Sequence, residues 1–201
     1  MGGGRTLSEE SVIAQSTVLW QRIDLPGHEI CQLVTSAEGW RLSGVALVAH
    51  DGRPCRLDYE ILCDASWETR SAHIWGHIGG APADLVVVCA PNRTWSVNGS
   101  VVPLLDGCID IDLGFSPSTN LLPVRRLTLS VGERAAVRAA WVRFPNLGLE
   151  VLEQSYTRIG PLAYRYESAN GAFTRDLSVD ANGFVLEYPG LWRAETQAVG
   201  V

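Results

Sequence analysis

The chain has 201 residues, 46% of them hydrophobic and 19% charged, with 22 acidic against 16 basic side chains and a net charge of −6. This composition is globular and excludes intrinsic disorder, while the acidic excess disfavours nucleic acid and anionic membrane surfaces, both of which need basic patches. All 16 basic residues are arginine, which removes every mechanism built on lysine: a P-loop, a Schiff base, a kinase strand lysine or a Ser-x-x-Lys nucleophile.

Taken in chain order, residues 1–17 are glycine-rich and then polar, and are expected to form a flexible arm. They hold no apolar signal core, and no run in the chain approaches the 18 or more apolar residues of a membrane span. Both features predict a cytoplasmic protein with no stable membrane insertion. Cys31, Cys55, Cys63, Cys89 and Cys108 are odd in number and form no Cys-x-x-Cys pair, the pattern of reduced thiols rather than a disulfide framework.

From Val18 onward the hydrophobic period is mostly two. Leu57, Tyr59, Ile61 and Cys63 alternate with Asp58, Glu60, Leu62 and Asp64, a half-buried strand. Residues 69–78 read as another strand, and residues 133–141 favour a strand over a helix. Asp51-Gly52, Asn98-Gly99, Asn170-Gly171 and Asn182-Gly183 each separate two alternating runs and predict tight hairpins, because Asn-Gly and Asp-Gly adopt positive φ readily. One short helix is expected over roughly residues 119–127. Ser118, Thr119 and Asn120 are its expected caps, and Pro123 is tolerated because it falls near the first turn. The fold class that follows is mainly β: one large antiparallel sheet of about a dozen strands or more with a single short α-helix. Such a sheet must curl or close. One domain is expected over residues 18–195, with a tail at 196–201.

Few constellations carry chemistry. His73 and His77 share a strand face but lack a third ligand, so no metal or cofactor site is expected. Asp110 and Asp112 share a strand face about 7 Å apart. They suit either a carboxylate pair acting on a sugar or, preferably, a structural anchor for Arg125 or Arg126. Ser116 has no paired histidine and no Gly-x-Ser-x-Gly setting. Seven tryptophans and several tyrosines fit sugar faces as well as an ordinary core, and Tyr164 and Tyr166 share one strand face.

The run from Asp110 to Leu129, with its centre Ser-Pro-Ser-Thr-Asn-Leu-Leu-Pro-Val-Arg-Arg-Leu, resembles the signature of the bacterial "putative glycolipid-binding" family. Gly44-Val-Ala, residues 57–64, Trp67-Glu-Thr-Arg, residues 154–158, and residues 179–189 with Trp192 extend the resemblance over roughly residues 18–193. It implies a spiral β-roll, a sheet wrapped around one helix, seen as a homodimer, with glycolipid binding as the suggested role and no reaction attached. On that reading a glycolipid or related amphiphile sits inside the curled sheet. Asp110, Asp112, Asn120, Arg125 and Arg126 are its candidate head-group contacts, with Trp95, Tyr156, Tyr166 and Trp192 as stacking or mouth residues. Two other readings stay open: a hydrolase or isomerase using Asp110 and Asp112, and a ligand-free dimeric scaffold.

Overall fold

The computed structural model describes residues 15–199. Eight strands come first: β1 (Gln15–Arg22), β2 (Gly27–Ser36), β3 (Gly39–His50), β4 (Arg53–Cys63), β5 (Thr69–Ile78), β6 (Ala81–Cys89), β7 (Trp95–Val97) and β8 (Ser100–Val101). Then come β9 (Asp110–Leu113) and the helix α1 (Leu121–Leu127), followed by β10 (Arg134–Val142), β11 (Leu149–Gly160), β12 (Ala163–Ser168), β13 (Phe173–Val179), β14 (Val185–Tyr188) and β15 (Trp192–Val199). All 15 strands form one sheet, in the order β8-β7-β6-β5-β4-β3-β2-β1-β15-β14-β13-β12-β11-β10-β9. Two meanders are thus joined where β1 pairs antiparallel with β15. The pairing of β9 with β10 is parallel, a departure from the antiparallel rule.

The expected boundaries shift slightly. β1 opens at Gln15, inside the expected arm, and β15 runs to Val199, inside the expected tail; the remainder of both segments lies outside the described residues.

The expected alternation is realised. On β4, Cys55, Leu57, Tyr59, Ile61 and Cys63 are buried while Arg56 and Leu62 are exposed. Asp51 and Gly52, like Asn98 and Gly99, both take positive φ at two-residue hairpin turns, and Asn170-Gly171 and Asn182-Gly183 fall between β12, β13 and β14. The sheet curls onto itself. Thr69, on β5, accepts the Ile111 N–H of edge strand β9 through Oγ1 and donates its own N–H to Ile109 O. Trp95 Nε1 likewise reaches Cys108 O at 3.1 Å.

Inside the roll lies the segment from Phe115 to Val124, buried at every residue. A 3-10 turn at Ser118–Asn120 precedes α1, and Thr128 closes the helix with φ +45°. The three expected caps do not cap the helix, because that turn draws them into the fold instead. Thr119 Oγ1 accepts the Leu113 N–H, Ser118 Oγ bonds Ser116 Oγ at 2.7 Å, and Asn120 donates to Pro117 O. All five cysteines are free and buried.

Candidate binding site

A cavity of about 550 Å³ opens between the start of the buried helical segment and the second meander. Asn120 faces it from the helical segment, and Asp112, Trp141, Tyr166, Tyr188 and Trp192 from the sheet, where Asp112 on β9 is in register with Trp141 on β10. Parity explains the placement. Tyr164 and Tyr166 both point inward from β12, and β9 carries Asp112 two residues beyond the fully buried Asp110.

The aromatic wall is built edge to face, with the Tyr166 ring 5.3 Å from Tyr156 and 6.0 Å from both Phe173 and Tyr188. Arg22 stacks over Trp192 at 5.2 Å. Tyr156 stands behind the cavity wall, fully buried, donating its O–H to Asn120 Oδ1 at 2.8 Å. This fixes the Asn120 amide.

Asp112 is the chemically distinctive group. Burial pushes its carboxyl up to about 7 and the neighbouring Asp110 charge adds to the rise, partly offset by a hydrogen bond from Gln154. Its charge state therefore changes in the neutral pH range. Among the described residues no arginine pairs with it.

Asp110 is different. Its two oxygens accept Nε and Nη2 of Arg126 at 3.1 and 2.5 Å, so burial raises its carboxyl while the guanidinium pulls it back. This is the structural anchoring of acid to arginine, and it separates the two aspartates. Asp110 and Arg126 hold the corner between β9 and α1 and do not face the cavity of Asp112. The candidate sites for a head group were grouped by sequence proximity; the roll divides them. Arg125 and Arg126 line a second cavity at the far end of α1. Trp95 is fully buried, lines neither cavity, and donates its N–H to Cys108 O in the core.

Sequence reasoning missed a buried polar cluster under the cavity floor. Glu29 on β2 is 1% exposed, and its Oε1 accepts the Tyr59 hydroxyl at 2.6 Å and the Ser116 hydroxyl at 2.5 Å. Ser116 also lines the cavity. Burial raises Glu29 to about 8 against these two hydrogen bonds and the Arg22 charge, which favours its neutral form at pH 7, and its Oε2 has no partner among the described residues. Gly44 makes room, since a Cβ there would collide with the Tyr59 hydroxyl. The signal was present: Glu29 shares its strand parity with the inward Cys31 and Leu33.

The histidine pair stays on the outer face, with His73 paired to Asp84 at 2.8 Å and His77 exposed. Among the described residues no group of three His, Cys, Asp or Glu is placed to hold a metal ion, and no helix is long and apolar enough to cross a membrane.

Fold and cavity together define a rolled, single-sheet β protein wrapped on a buried helix, with an aromatic and carboxyl-lined hollow between the two. The chain belongs to the family described as "Putative glycolipid-binding", whose model matches residues 17–194. A crystal structure of a DUF1089 family protein from Pseudomonas aeruginosa superposes with a TM-score of 0.73 at 28% identity, covering 96% of this chain and 98% of that one. No functionally curated protein matches the chain.

Proposed function

We propose that the protein binds an amphiphile of the glycolipid class in the cavity between β9, the buried helical segment and the second meander. The observation that carries this reading is the composition of that cavity: aromatic side chains and the Asp112 carboxyl on the sheet, and the Asn120 amide on the helical segment. Aromatic faces pack on the C–H faces of sugars, and a carboxylate and an amide accept hydroxyl donors. Val151, Leu152 and Leu191 add apolar surface for an alkyl portion. The family description supports the same ligand class. Asp112, Asn120, Tyr166 and Trp192 touch the ligand on this reading, and Tyr156 positions Asn120.

A fully packed scaffold would have no such cavity. A two-carboxylate hydrolase would need Asp110 free of Arg126, whereas both its oxygens are taken. Five buried thiols fit a reducing compartment such as the cytoplasm, and a homodimer belongs to the same reading through the family resemblance.

The test is native mass spectrometry of protein purified from its host under non-denaturing conditions, with extraction of any bound lipid. A stoichiometric lipid adduct, lost on Tyr166→Ala, is the expected result. A clean apo mass that persists after incubation with host lipid extract overturns the proposal.

A further inference from the structure

The second cavity, about 660 Å³, lies where the C-terminal end of α1 meets the turns between β4 and β5, β11 and β12, and β13 and β14. Three arginines line it: Arg125, Arg126 and Arg158. In a chain of net charge −6 the question is how much of that positive charge is neutralised. Arg126 is committed to Asp110. Arg158 donates to three backbone carbonyls, of Leu129, Gly160 and Pro161, which satisfy its N–H groups without cancelling its charge.

Arg125 has neither kind of partner among the described residues. Its guanidinium lies 5.0 Å from the Trp67 ring and 5.9 Å from the Trp40 ring, and Trp40 and Trp67 stack on each other at 4.0 Å and 17°. On the other side a Cβ at Gly183 would approach Arg125 Cδ and Cγ at 3.2 and 3.3 Å, so the missing side chain at Gly183 leaves the slot for the arginine stem. Of the acids nearby, Asp64 pairs with Arg70 and Glu68 with Arg93. Asp180 lines the cavity opposite the arginines, and its bonds from the backbone N–H groups of Asn182 and Phe184 and from the Gln197 amide leave its charge in place, so one carboxylate offsets part of the positive field.

This arrangement has a cost. Ordering an arginine sacrifices side-chain entropy. Trp67 sits at φ +67°, a left-handed conformation that is unfavourable for a bulky residue. A guanidinium whose stem is seated beside Gly183 and whose face lies over the Trp67 indole, with no side-chain or backbone hydrogen-bond partner among the described residues, is preorganised for an oxyanion.

We propose that this second cavity binds a phosphate-class oxyanion, with Arg125 as the direct ligand and Arg158 supplying the surrounding positive field. The volume exceeds that of a bare phosphate, so the group arrives attached to a larger molecule, either a soluble phosphate ester or a lipid head group. The site is separate from the amphiphile cavity and does not depend on it.

The experiment is calorimetric titration of the full chain with inorganic phosphate and with glycerol phosphate, at about 150 mM salt to screen weak surface attraction. Flotation with phosphatidylglycerol vesicles, and with phosphatidylcholine vesicles as control, runs alongside. Arg125→Met keeps the apolar stem over Trp67 and removes the charge; it is expected to weaken binding about 10- to 100-fold. Binding of the soluble phosphates that is lost in Arg125→Met supports the site and assigns a soluble ligand. Binding confined to phosphatidylglycerol vesicles, with the same sensitivity, supports it and assigns a lipid phosphate.

A readout on the wild type stands apart from any folding defect of the variant. Phenylglyoxal modification of Arg125, read by peptide mass spectrometry, should be suppressed by whichever phosphate source binds. No binding of any phosphate source, unchanged binding in Arg125→Met, or Arg125 left unprotected overturns the proposal.

Discussion

Glu29→Gln tests whether the buried acid beneath the cavity is neutral in the folded protein. Glu29 is raised from an ordinary value of 4.5 to about 8, chiefly because burial removes its hydration. The unfolded chain keeps the ordinary value, so the folded state binds the proton more tightly. The stabilisation tied to that proton is complete below about pH 4.5 and is lost as pH rises through about 8. Each pH unit between those limits costs about 1.4 kcal/mol. From 4.5 to pH 7 the loss is therefore roughly 3 kcal/mol. Glutamine has the shape of the protonated acid and its Oε1 can accept the same Tyr59 and Ser116 hydroxyls. Glu29 Oε2 is already unpartnered, so the amide nitrogen takes a position that had no hydrogen bond to lose. Urea unfolding across pH 4 to 8 should show Glu29→Gln more stable than wild type by roughly 3 kcal/mol at pH 7 and nearly equal at pH 4, with a rise in Tm at pH 7 of roughly 6–12 °C. Asp112 contributes its own slope to both proteins, so the difference between them isolates Glu29. Parallel pH profiles, or a variant weaker at pH 7, would refute the assignment of a neutral buried acid.

Other substitutions probe the neighbouring features. Asp110→Asn leaves the Arg126 guanidinium unpaired and should destabilise by about 3–5 kcal/mol, seen as a lower urea midpoint at an unchanged slope. Gly44→Ala forces a methyl group against the Tyr59 hydroxyl and Ile30 O and should cost about 1–3 kcal/mol by thermal denaturation. For the amphiphile cavity, Asp112 titrates near 7, and its ionised form is the better acceptor for sugar hydroxyls. Ligand affinity should therefore rise between pH 6 and pH 8 in the wild type and stay flat in Asp112→Asn, a contrast that calorimetry at the two pH values checks directly.

The local architecture was legible because strands announce themselves by parity. Leu57, Tyr59, Ile61 and Cys63 sit on one face of β4 as their alternation implies, and the Asp-Gly and Asn-Gly turns fall between paired strands. The helix was legible as an interruption of the two-residue period, within two residues of its observed start. Its caps were not. Capping propensity describes an exposed helix end, and a 3-10 turn inside a rolled sheet offers Ser118, Thr119 and Asn120 tertiary partners instead. The parallel pairing of β9 with β10 also escaped the pattern, because alternation fixes which face a residue takes and leaves open which strand lies beside it.

The candidate site divides along the same line. By itself the sequence determined the inventory: no lysine, two acids in phase on one strand, paired arginines on a short helix, and an abundance of aromatic residues. Tertiary structure decided the roles. Asp110 and Asp112 are two residues apart, yet one is held by Arg126 and the other faces a cavity. Tyr164 and Tyr166 share a face, yet each lines a different cavity. Glu29 meets Ser116 across 87 positions. Residue type and strand phase are local properties that the chain carries wherever it folds. Burial, ion pairing and cavity shape depend on which distant strands the roll brings together, and those same contacts set each group's hydration and charge.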